Sequence, residues 1–188
     1  MPLGGRDTAD RAAEETENGT HRDAGLHTDL LGVYLNDHLA GATTGRELCR
    51  RAAASHRGST AGDLLARLAD EIAEDRDELL RLMRALDVPV RRYKTATGWV
   101  GERLGRLKLN GHLVRRSPLS SVLELEALRL GVEGKTALWE TLRAVAEHDE
   151  RLDARRLDAL LRRAREQAEV LDRLRLARAG EVLAATPE

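Results

Sequence analysis

A bundle of four long helices, paired as two antiparallel hairpins across one long crossover, is the architecture expected from these 188 residues. Composition points there first. Aromatics are 2% of the chain and Phe is absent, while charged residues reach 34%, so the core has to be built from Leu, Ala, Val and Ile. Such a mixture favours helices over sheets, because strands draw on aromatic and β-branched side chains. The second pointer is apolar spacing at alternating threes and fours, and the third is a connection between residues 88 and 116 that is far too long for a turn between neighbouring helices.

The elements follow in order. Residues 1–27 are polar and interrupted by glycine, with too little apolar surface to offset the entropy of ordering, and are expected to be a disordered tail. From Thr28 or Asp29, either able to cap, a first helix places Leu31, Leu35, His38, Ala42, Gly45, Cys49 and Ala52 on one stripe and ends near the glycine of "HRGST". A second helix opens at Ser59 and Thr60, with Asp63 three residues after Thr60 in the manner of a capping box. Its stripe of Leu65, Leu68, Ile72, Asp75, Leu79, Leu82 and Leu86 gives a core slot to an aspartate, and the helix stops before "DVP". The crossover 88–116 contains a short amphipathic helix marked by Val100, Leu104 and Leu107. Ser117 then caps a third helix with Pro118 at its first position, where a missing N–H costs nothing. Its expected stripe is Leu119, Leu123, Glu126, Leu130, Glu133, Ala137 and Thr141. After the "DERLD" turn a fourth helix turns Leu157, Leu160, Ala164, Gln167, Leu171 and Leu174 inward, and residues 181–188 form a C-terminal tail. The domain is therefore expected over 28–180.

Charge and cysteine content narrow the function classes. A formal net charge of -1 supplies no global attraction to nucleic acid or membrane. One cysteine, Cys49, rules out an internal disulfide, and no run approaches the length of a membrane span, so the expected address is the cytoplasm. Cys49 itself reads as a small core residue, and Trp139 and Tyr34 as packing residues. "GVEGKT" lacks the first glycine of a phosphate-binding loop, because position 129 is Arg, and no strand precedes it.

Register brings polar residues together. With helices one and two paired around residue 58, Asp75 lies level with Ala42 and about one turn from His38. Parallel second and third helices put Glu133 at the height of Asp75, and the returning fourth helix adds Gln167 near residue 136. His38, Asp75, Glu133 and Gln167 are thus expected in one mid-bundle layer, the place where helical carboxylates and imidazoles converge on iron, manganese or zinc. A di-metal centre asks for Glu-x-x-His motifs, and the chain has none. A hydrogen-bonded buried cluster is the competing account of the layer. Glu126, two turns away, is expected to pair with Arg178.

The crossover is the basic part of the chain: Arg91, Arg92, Lys94, Arg103, Arg106, Lys108, Arg115 and Arg116 face only Asp87 and Glu102. With Trp99 and its apolar ridge this stretch fits contact with an anionic membrane surface or a partner. It equally fits a cover for the bundle, with Gly98, Gly101 and Gly105 suited to close packing against another backbone.

The segments "LGVYLNDHLAG", "GWVGERLGRLKLNG", "SPLSSVLELEALRLGVEGKTALW" and "LRAVAE" resemble an uncharacterised bacterial family, actinobacterial in type, of the ferritin-like superfamily. More distantly, "TLRAVAE" and the helix order are similar to the stress-associated ferritin-like proteins of the YciE and YciF type. The resemblance implies a four-helix bundle with carboxylate and histidine metal ligands, a set from which this chain departs. The expectation is a bundle with a degenerate metal centre, structural or stress-related and not an enzyme, acting through self-association or a partner. A metal-binding protein and a peripheral membrane or partner-binding module are the alternatives.

Overall fold

A computed structural model describes residues 27–91 and 118–184. These contain four long helices and, among the described residues, no strand: α1 Thr28–Ser55, α2 Thr60–Ala85, α3 Pro118–Val145 and α4 Ala154–Leu183, with a 3-10 turn at Ala146–His148. The tail at 1–26, the cap at Ser117, the short crossover helix and the last residues, 185–188, lie outside the described part. So does the basic surface, apart from Arg91. Helix α4 runs three residues past the expected end of the domain.

Local chemistry sets the boundaries. His27 occupies the cap position of α1 and its carbonyl accepts the Leu31 N–H. Ser59 caps α2, its hydroxyl accepting from the Gly62 N–H at 3.1 Å, so the cap lies one residue before the expected Thr60. Gly62 cannot carry a side chain, because a Cβ there would meet the His56 carbonyl oxygen at 2.2 Å. The C-terminus of α2 is a Schellman motif. Asp87 takes a left-handed φ of 56°, its N–H bonds to the Arg84 carbonyl, and the Val88 N–H bonds to that of Met83. Asp153 caps α4 through the Arg155 and Arg156 N–H groups.

Helices α1 and α2 pack as one hairpin and α3 and α4 as the other; α1 lies against α3, and α2 meets α4 over a shorter stretch. Long-range pairs fix the directions. Arg76 bonds Thr43 and Cys49 bonds the Leu65 carbonyl, so α1 and α2 are antiparallel. Arg143 pairs with Asp158 and Arg175 with Glu126, so α3 and α4 are antiparallel. Tyr34 bonds Thr141, which makes α1 antiparallel to α3 and hence leaves α2 and α3 parallel.

Two apolar clusters fill the ends. One joins Leu35, Leu39, Leu79, Met83, Leu138, Trp139 and Leu157 among others; the second joins Leu48, Cys49, Leu65, Leu68, Leu128, Val132 and Leu171. The expected stripes of α2 and α4 are buried, with Leu174 half-buried. That of α3 is not. Its buried residues are Ser121, Val122, Leu125, Leu128, Val132, Leu138, Trp139 and Leu142, whereas Leu119 and Leu130 are 39% and 61% exposed. Helix α3 carries two apolar stripes side by side, and the deeper one holds the core.

Candidate functional site

Between the two apolar clusters lies an ionic layer centred on Asp75, which is 2% exposed. Lys135 of α3 sends its ammonium between α2 and α4. Nζ donates to Asp75 Oδ2 at 2.5 Å and to the side-chain oxygen of Gln167. The other carboxylate oxygen of Asp75 accepts from Arg163. Gln167 Nε2 donates to Glu71 at 2.9 Å and reaches Asp75 Oδ2 at 3.3 Å, and Arg163 also pairs with Glu74 at 2.9 Å. Three helices are tied together by two cations around one buried carboxylate. Burial pushes the Lys135 ammonium below its ordinary range, and the charge of Asp75 opposes that shift. Both buried groups therefore depend on each other for compensation.

A second ionic knot lies one turn further along α2. Glu78 is 6% exposed and accepts from Arg156 at 2.9 and 3.0 Å and from Arg81. The Arg156 hydrogen bonds, assisted by those of Arg81, hold its carboxyl at about 2, against the opposing effect of burial. The α2–α4 seam is thus a ladder of Glu71, Glu74, Asp75 and Glu78 facing Gln167, Arg163 and Arg156. Where these helices part, an open cleft of about 460 Å³ is lined by Leu64, Leu68, Glu71, Glu74, Arg163 and Gln167, with others.

Two of the four expected layer residues meet. Asp75 and Gln167 come together at the expected height. Glu133 does not join them: it is exposed and pairs with Arg129 at 2.9 Å, because the phase of α3 turns Lys135 inward instead. His38 is half-buried on the α3 side of α1, edge-on to Tyr34 with ring centroids 4.6 Å apart, and burial lowers its pKa. Glu126 does form an ion pair, with Arg175 one turn before the expected Arg178, which bonds Ser121 and Glu181.

The donor set does not suit a metal ion. Both oxygens of Asp75 and the oxygen of Gln167 are engaged by cations or amide donors, and a further cation would have to displace an ammonium from its salt bridge. Among the described residues no three His, Cys, Asp or Glu side chains cluster as ligands. Cys49 is buried, donates to the Leu65 carbonyl, and has its thiol pushed up to about 12 by burial, so it is a core residue with little thiolate character. No described helix is long and apolar enough to cross a membrane.

Lys135 is the residue that sequence reasoning passed over. One signal was present: lysine occurs only at positions 94, 108 and 135, the last being the one lysine in the four helices of an arginine-rich protein. A compact ammonium on a flexible stem can donate to Asp75 and Gln167 from one point, which a planar guanidinium does with a different geometry. No protein family, curated protein or solved structure matches this chain.

Proposed function

We propose that this protein is a ferritin-like bundle in which a lysine ammonium takes the mid-bundle position that a metal ion holds in metal-binding members of that fold, and that it works as a structural, non-catalytic protein through self-association or a partner. The observation that carries this reading is Lys135 Nζ held jointly by Asp75 and Gln167. An internal ammonium supplies the positive charge that the buried carboxylate requires, without a metal. Helices α2 and α3 running parallel across a long connection support the ferritin-like part of the proposal. Leu176 and Leu183, one heptad apart on α4 and 56% and 65% exposed, support the associating part.

Elemental analysis of protein made with added iron, manganese and zinc tests the centre. Less than about a tenth of an equivalent of any of them is expected; a stoichiometric metal that disappears in Asp75→Ala overturns the reading. Sedimentation of Leu176→Glu/Leu183→Glu tests association. A smaller assembly or a lost partner is expected, and an unchanged state in every preparation counts against it.

A further inference from the structure

At the end of the bundle where α2 stops, a short segment ties the two hairpins together. Asp87 holds the left-handed φ of 56° that glycine usually takes after a helix, and its carboxylate meets Arg151, in the turn between α3 and α4, at 3.3 Å. The Val88 N–H donates to the Met83 carbonyl at 2.8 Å, and the Val88 side chain is buried in the apolar cluster of Leu35, Met83 and Trp139. Its Cγ1 passes over Gly32 of α1, 3.9 Å from the place of a Cβ.

Asn36 supplies the matching hold on α1, where it is buried. Its amide donates to the carbonyls of Gly32 at 2.7 Å and Pro89 at 3.1 Å, and its oxygen accepts the Arg91 N–H at 2.7 Å. Toward residues 89 and 91 this one side chain presents the donor and the acceptor that a neighbouring parallel strand would present to an extended chain. The sequence of the segment suits that reading. Pro89 fixes its own φ and biases Val88 before it toward extended backbone, and the β-branched Val88 and Val90 are stiff at χ1. Stiffness couples the two holds, so the seat of Val88 in the core and the bond from Arg91 to Asn36 move together.

We propose that Asp87–Arg91 is a latched strap: it hinges at Asp87, is fastened to α1 by Asn36, and opens as one unit while the four helices stay folded, uncovering the end of the core on which Val88 sits. Arg151 keeps Asp87 with the α3–α4 turn, which makes that residue the fixed end. The strap buries Val88, whereas each helix buries a whole stripe, so the strap opens at a lower free energy than the bundle unfolds.

Native-state hydrogen exchange on the full chain tests this, with the Val88 and Arg91 amides read against those of Leu79 and Ala164 in the core of α2 and α4. In the wild-type protein Val88 and Arg91 are expected to be slowed by a common factor of at least about tenfold, and by less than Leu79 and Ala164. Asn36→Leu removes both bonds to the strap; it is expected to bring Arg91 to within about threefold of an unstructured chain and to accelerate Val88, with Leu79 and Ala164 still more than about tenfold slower. Val88→Ala leaves Asn36 in place, is expected to accelerate Arg91 as much as residue 88 itself, and keeps the test open if Asn36→Leu does not fold. Unstructured rates at Arg91 in the wild type overturn the proposal, as does exchange of Val88 and Arg91 no faster than that of Leu79, which would make the strap part of the global unit. Acceleration confined to residue 88 in the Val88→Ala variant overturns the single unit, and an unchanged Arg91 rate in Asn36→Leu overturns the latch.

Discussion

The ends of this bundle and its middle are stabilised by different physics. At the ends Leu, Val, Met and Trp139 interlock, and their contribution scales with the apolar area removed from water. In the middle, Asp75, Lys135, Arg163 and Gln167 replace those side chains, and the gain from each ion pair is spent largely on desolvating its members. The apolar ends account for stability. The ionic middle ties α2, α3 and α4 together at one height through Asp75, Lys135, Arg163 and Gln167, although the Nε of Arg163 is buried without a hydrogen-bond partner among the described residues.

Truncation at either place is expected to be costly, for opposite reasons. Trp139→Ala at an end leaves a cavity and should lower the unfolding free energy by about 3–5 kcal/mol in denaturant titrations. Asp75→Ala strands a buried ammonium and should cost a similar amount, roughly 3–5 kcal/mol. The difference emerges on full replacement. Asp75→Leu, Lys135→Met and Gln167→Leu together should restore stability to within about 1–2 kcal/mol of wild type, because Asp75 and Lys135 leave the core as a pair and Arg163 keeps Glu74. Failure of the triple variant to recover beyond Asp75→Ala would show that the layer contributes net stability of its own.

The same contrast explains what could be read from the sequence. Helices α2 and α4 each have one apolar stripe bounded by charge, so their phase, Asp75 and Gln167 included, follows from spacing alone. Helix α3 has two stripes, Leu119–Leu130 and Leu125–Trp139, and periodicity within one helix cannot rank them. Choosing the first turned Glu133 inward and Lys135 out. His38 was misplaced for a related reason: α1 is small-sided in its middle, so its apolar signal does not tell the α2 side from the α3 side. The hairpins and the parallel run of α2 and α3 were legible because chain length and caps constrain them independently of phase.

Acid should act on the ionic rungs and leave the apolar ends alone. Glu78 titrates at about 2 in the folded protein, below the 4.5 of an unperturbed carboxyl, so it binds fewer protons folded than unfolded. Its stabilisation is then complete above pH 4.5 and is lost as the pH falls from there toward 2. Solvent screening at half-exposed Arg81 and Arg156 reduces the contribution to about 2 kcal/mol. Glu78→Gln should flatten that part of the pH dependence of stability, and an acid limb identical to wild type would show the pair to be energetically idle.

The smallest effect expected is at Ser59, away from both regions. Its hydroxyl accepts one N–H at the exposed start of α2, and Ser59→Ala leaves that donor to water, so a loss of about 1 kcal/mol is expected in thermal or denaturant unfolding. Because the cap lies far from Asp75, its cost should add to that of Asp75→Ala within about 0.5 kcal/mol in the double variant. Strong coupling between the two would mean that the ionic layer orders the first turn of α2, making the middle of the bundle a determinant of helix boundaries as well as of register.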